Sequence, residues 1–484
     1  MGDVQGRDFR AGPRAILTAF DVTSLVVGAV VGADIYVVAS LGAGLMGPAM
    51  LVAWVIAGIM AGFIALSFAQ CVAIVPKAGG PYAYVRETFG YFPGFLVGWS
   101  LYLAELVAIS VFPVAFVRYL TFFFQDLIWW QDALAKGIFI AFLTATNYLG
   151  ARIAGKVNDV LMVAKMGPLL LLILLGVAVV IFSPASSFAN LVPFVPLGWG
   201  GIGSTIILAF WAYAGFELAV LPAAEIIDAP RILPVSIIQG MAIVTVFYLS
   251  VNAIVVLVMP WYAFTASTAP LALAMETIIQ ALSLPLWTIG AAIMAVGAIL
   301  SISGADESAT LGTSRLSYAM AADGYFPHVF AKIDPRYGTP YLSLLFQGVF
   351  TLVASLLGSL TGLIELSVFF LSVTYLGTVL AAMRLVSRAP DLRLRFVGSR
   401  AVLILALVSS LYLVSQTEKS SFILGIIAIA LGVPIYAFFA PKNELSEVRD
   451  RILSEEQRLA AIQRALLVAP ARALEYIHAL FSKG

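Results

Sequence analysis

Apolar positions in this 484-residue chain fall in long continuous runs, and the polar positions gather between them. A helix that crosses a bilayer needs roughly 20 mostly apolar residues. Twelve runs meet that length: 15–44, 48–74, 89–121, 134–152, 157–182, 199–222, 233–259, 283–312, 340–358, 362–387, 400–416 and 422–440. They are too long and too uniformly apolar for the alternation of barrel strands. The pattern predicts an all-α integral membrane protein with about 12 transmembrane helices over residues 1–440. Beyond residue 440 it changes. The stretch "ELSEVRDRILSEEQRLAAIQRALL" is charged, Leu459, Ile462 and Leu466 repeat at helical spacing, and Ser454 with Gln457 fits a capping box. Residues 441–484 read as an amphipathic tail helix on the inner membrane surface or on the protein itself, or as a partner-binding segment.

Composition agrees: 62% of residues are hydrophobic and 11% charged, with a mean hydropathy of +1.02. Soluble domains carry about 25% charged residues. A net charge of +1, with no basic patch interleaved with aromatics, points away from nucleic acid. Cys71 is the only cysteine, and His328 and His478, the only histidines, lie outside the apolar runs. These counts offer no disulfide framework, metal site, cofactor ligation or His-based catalysis. Met1 to Arg14 is polar and has no leader-like pattern. Lys and Arg orient the stack. With the N-terminus inside, the outer segments hold only Arg118, Lys136 and Lys419, and every other basic residue except Lys165 is on the inner side. Both termini are therefore expected in the cytoplasm and the chain in the cell membrane.

Two runs are interrupted where lipid would be. "VVGAVVGADIYVVAS", residues 26 to 40, carries Gly28, Gly32 and the Asp34 carboxylate mid-run. "FWAYAGFELAV", residues 210 to 220, repeats the theme, so that Gly32-Ala33-Asp34-Ile35 and Gly215-Phe216-Glu217-Leu218 share a Gly-x-acid-aliphatic core. Irregular backbone survives at membrane depth only around a protected cavity. The first run leads outward and the sixth inward, as in an inverted repeat of five helices each, over about 15–182 and 199–387, with 400–440 appended. Paired interrupted helices mark a transporter's central site. A broken helix exposes N–H groups at a positive dipole end, which suits a carboxylate at Gly32. Bared carbonyls near Trp211 to Ala214 suit an ammonium.

Four stretches carry a family likeness: the glycine-rich break Gly28 to Tyr36; "PKAGGPYAYVRETFG" from Pro76; "AYAGFE" followed by "AAEIIDAPRILPVSI"; and "SRLSYAMAADGYFP". In that order they resemble the amino acid–polyamine–organocation (APC) superfamily, over residues 15 to 440. The resemblance implies a LeuT-type fold with helices 1 and 6 broken. It also implies a secondary permease, not an enzyme, that moves amino acids or related small amines by alternating access. Gly28, Gly32, Ala33, Asp34 and Ile35 would line the substrate site with Phe210, Trp211, Tyr213, Ala214 and Gly215.

Single residues leave alternatives. Where the family usually reads Gly-Ser-Gly, this chain reads Gly32-Ala33-Asp34. Asp34 is an N-cap of the outer half-helix, a holder of an amine or a bound cation, or a carboxyl protonated during transport. Glu217 is a cap or a titrating group that links proton state to the inner gate. Lys165 is the one basic residue inside an apolar run. It either snorkels to the interface or stands where sodium-coupled relatives bind the ion, so that protons rather than sodium drive symport. Ser303 matches a hydroxyl position beside that place in the family, and Glu307 falls where a neutral residue is expected; a Lys165–Glu307 pair is conceivable. Glu105 and Glu365 read as hydrogen-bonded structural acids, and Trp211 as an outer lid or a packing residue. A channel lined by Asp34, Glu217 and Glu307, or an inorganic cation or polyamine carrier on the same fold, is the alternative. No Gly-rich nucleotide loop points to ATP-driven pumping.

Overall fold

A computed structural model describes residues 17–75, 79–124, 127–149, 151–219, 226–285, 287–390, 399–441 and Glu444; the side chains of residues 25, 151–164, 218, 219, 229, 230 and 399 are not described. The tail helix expected over 441–484 falls outside these residues, apart from Pro441 and Glu444. Among the described residues the secondary structure is helical, with one isolated parallel bridge between Leu17 and Ile226. Seven helical stretches are long and apolar enough to cross a membrane, and five further apolar helices are shorter.

The long helices follow the apolar runs. The first run is two helices, α1 (Ala19–Val30) and α2 (Asp34–Met46), separated by three bent residues. Then come α3 (Met50–Ile74), α4 (Pro81–Phe89), α5 (Tyr91–Leu120), α6 (Trp129–Tyr148), α7 (Ala151–Phe182) and the short α8 (Pro184–Ala189). The sixth run is also split, into α9 (Ile202–Tyr213) and α10 (Phe216–Ala219). The remainder is α11 (Ala229–Val258), α12 (Trp261–Ala266), α13 (Pro270–Ala281), α14 (Trp287–Ala322), α15 (Tyr341–Leu357), α16 (Leu360–Arg388), α17 (Ser399–Gln416), α18 (Lys419–Ala430) and α19 (Gly432–Phe439).

The helices differ from the apolar runs in two ways. Helix α14 runs ten residues past its apolar run, because Thr313, Ser314 and Ser317 are buried and Ser314 and Ser317 bond carbonyls of their own helix. Helices α4, α8, α12 and α13 lie outside the runs. In each a proline at or just before the first residue pre-sets the helical entry.

Burial separates core from rim. In its most apolar 18-residue window α5 is 78% buried and α16 67%, whereas the α18–α19 stretch is 17% buried. Helices α5 and α16 therefore form the middle of the bundle, and α18–α19 presents an apolar outer surface. The broken helices cross side by side: α2 packs on α9, and α1 on α10 and α11. The chain before α1 is tied to the chain after α10, with Ile227 N–H donating to Leu17 O at 3.0 Å.

Candidate functional site

Breaking a helix strips carbonyls of their usual partners, and buried carbonyls need replacements. At the first break they come from other helices. The Lys165 ammonium on α7 donates to Gly28 O at 2.8 Å and also to Val31 O. Tyr248 O–H on α11 donates to Val30 O at 2.9 Å, and Ser301 O–H on α14 to Gly32 O at 3.1 Å. Lys165 is 3% exposed, and among the described residues no carboxylate stands within salt-bridge distance of it. Two carbonyls hold the ammonium, and Asp34 is the carboxylate that acts on it electrostatically.

The sixth-run break closes on itself. Gly215 sits at φ +116°, where an L side chain is strained. The Glu217 carboxylate accepts Gly215 N–H at 3.0 Å, and Trp211 O accepts Ala214 N–H at 3.1 Å, so that carbonyl is not bare. A Cβ on Gly215 would stand 2.7 Å from Ala29 O: the second break touches the end of α1 just before the first break, and only glycine permits it.

Around that contact lies a cavity of about 80 Å³, room for several water-sized bodies. Ala29, Val30, Gly32 and Asp34 form one wall, and Trp211, Ala214, Gly215 and Glu217 another. Glu105, Ala108 and Phe112 of α5, Ala305, Ser308 and Ala309 of α14, and Ser367 and Leu371 of α16 complete it. The cavity walls thus come from both breaks and three unbroken helices.

Some expected residues are brought together here and some are not. Gly32, Asp34, Trp211, Ala214, Gly215 and Glu217 line the cavity. Gly28 contributes its carbonyl to Lys165 instead. Ala33 and Ile35 are fully buried outside it, and Phe210 packs near Tyr375, 5.9 Å between ring centres. Tyr213 turns toward α3, its O–H donating to Trp54 O at 3.3 Å. Asp34 does not cap α2: Ala33 holds that position, Asp34 is the first helical residue, and its carboxylate accepts the Tyr248 O–H. Trp211 is 6.1 Å from Phe112, centre to centre.

Helix α14 corrects two expectations. Ser303 donates to its own helix at Ile299 O (2.8 Å), and Ser301 is the serine that reaches the break. Two residues are about 200° apart around a helix, so only one of them can face it. Glu307 accepts Thr146 O–H at 2.8 Å and makes no pair with Lys165. Ser301, Ala305 and Ser308 share one helical face, and Glu307 lies off it. The sequence reading did not single out Tyr248; its signal was a lone phenol inside an apolar run. Glu105 was read as hydrogen-bonded, but it lines the cavity with no hydrogen-bond partner among the described residues; Glu365 lies outside the cavity.

Two of the family-like motifs meet at the other end of the bundle. Tyr82 O–H on α4 donates to Asp323 at 3.2 Å, Arg86 donates to Tyr82 Oη at 3.2 Å, and Arg86 stands 3.7 Å from Asp323 just past α14. Tyr325 lies 6.0 Å from the Tyr82 ring and donates to Glu444 at 2.6 Å. These contacts clasp α4 to the end of α14.

Two interrupted helices meeting at one cavity within an apolar helical bundle are the arrangement of a membrane carrier. A model of the amino acid permease family matches residues 17–448, and the chain belongs to that family. It is 29% identical to the branched-chain amino acid permease BcaP of Bacillus subtilis (strain 168), over 88% of this chain and 93% of that protein. It is 26% identical to the serine/threonine exchanger SteT of the same organism, over 85% of this chain and 94% of the relative. It is 28% identical to cationic amino acid transporter 4 of Mus musculus, over 76% of this chain and 58% of the transporter.

Proposed function

We propose that this permease is a proton-coupled secondary transporter of amino acids or related small amines. Residues 1–440 would cross the membrane about twelve times as an inverted repeat, over 15–182 and 199–387, with 400–440 appended and both termini in the cytoplasm. The observation that carries the reading is the meeting of the two breaks at one cavity. Relatives named for branched-chain, hydroxylated and cationic amino acids support the substrate class.

Coupling rests on Lys165. As an ammonium it donates to both Gly28 O and Val31 O and thereby holds the first helix unwound. A neutral amine has two N–H groups and no charge to offer those dipoles. Loss of the proton therefore loosens the break, and regaining it resets the site. In this reading Glu217 ties the second break to the same cycle, and Trp211 closes over the solute. Alternating access follows from rocking the touching breaks against the α5, α14 and α16 walls.

The test is uptake by the reconstituted protein in liposomes under an imposed inward-acid gradient. Accumulation should follow the proton gradient and ignore sodium. Uptake that needs sodium and disregards the proton gradient would remove the coupling proposal.

A further inference from the structure

We propose that the solute this cavity selects is a small organic amine without an α-carboxylate, because Asp34 already stands where that carboxylate would bind. The inference rests on the transport reading above and narrows its substrate class. Asp34 is the first residue of α2, the half-helix whose N-terminal dipole would otherwise attract an anion. Its Oδ1 lies 2.9 Å from the place a Cβ on Gly32 would occupy, so the carboxylate covers the Gly32 corner of the break. Tyr248 holds it there by donating its O–H. A solute carboxylate arriving at the same helix end would find its place already filled by the Asp34 carboxyl group.

A second observation points to the ligand's sign. Glu105 comes from a different helix, is 6% exposed, lines the cavity and has no hydrogen-bond partner among the described residues. Glu217 lines it too. Among the described lining residues there is no Lys or Arg, and the Lys165 ammonium is engaged by the Gly28 and Val31 carbonyls. Buried carboxylates need a countercharge or a proton. An ammonium brings three N–H donors and one positive charge, which matches a pocket with acceptors on several walls and no donor cation of its own.

The experiment compares amino acids with their decarboxylated counterparts, so that side chain and size stay nearly fixed. Leucine is set against 3-methylbutylamine, and ornithine against 1,4-diaminobutane. Binding to the purified full-length protein is read by thermal stabilisation, and transport by competition in liposomes. The amine of each pair should act at a concentration at least about tenfold lower. Asp34→Gly should reverse that order, and Glu105→Gln should weaken the amine about tenfold without lowering the melting temperature. A wild-type preference for the amino acids, or an unchanged order in Asp34→Gly, overturns the proposal while leaving the transport reading intact. If Asp34→Gly does not fold, Glu105→Gln decides: unchanged amine affinity overturns the proposal. Failure of every compound to bind or enter overturns the transport reading, and this proposal with it.

Discussion

At the first break, the carbonyls of Gly28, Val30, Val31 and Gly32 are held by Lys165, Tyr248 and Ser301, from three different helices. At the second, the chain holds itself through the positive φ of Gly215 and the bond from its N–H to Glu217, two residues on. The first break is a tertiary device: its shape depends on partners from other helices, one of them an ammonium. The second is a local device, fixed by a backbone that only glycine adopts cheaply. The pair therefore combines a latch built from distant side chains with a hinge set by the local backbone.

Changing Lys165→Met tests the latch hardest. It leaves two buried carbonyls without donors, at ~1–3 kcal/mol each, and removes the titratable group. Gradient-driven uptake should fall at least about tenfold, and the remainder should no longer respond to an imposed pH difference. Retained proton dependence would mean that the latch is not the coupling element. Next is the hinge. Gly215→Ala places a Cβ 2.7 Å from Ala29 O at φ +116°, a cost of ~1–3 kcal/mol from backbone strain alone. It should lower the melting temperature and abolish uptake. Gly32→Ala should cost less, because its φ is not positive and its nearest neighbour is the end of the Asp34 side chain. Equal losses in the two variants would erase the distinction between the breaks. A smaller effect is expected at Ser301→Ala, ~1 kcal/mol for one neutral hydrogen bond. Ser303→Ala should leave melting and uptake nearly unchanged, since Ser303 bonds only its own helix. The reverse order would reassign the face of α14.

The same contrast explains what could be read from the chain. The hinge was legible, because Gly215 and Glu217 are two residues apart and their chemistry is local. The latch was legible in part. Lys165 stood out as a charge in an apolar run, but its acceptors, more than a hundred residues away, did not. Tyr248 stayed hidden because one phenol among aliphatics looks like packing until its O–H finds Val30 O and Asp34. Ser303 is the position the family resemblance implies, but Ser301 reaches the break, because two serines two residues apart differ in helical phase. Residue type leaves Asp34 open between a cap, an amine holder and a protonated carboxyl; the tertiary structure gives the cap position to Ala33 and the carboxylate to Tyr248 and the cavity.

The sequence by itself determined the solvent this protein lives in, the helical runs and the places where two of them break, because hydrophobicity and glycine's conformational freedom act over neighbouring residues. Only the tertiary structure decided which groups satisfy the broken backbone and which carboxylates share one cavity. Those choices depend on distances between helices far apart in the chain, and hydrogen bonds and charges act only at close range.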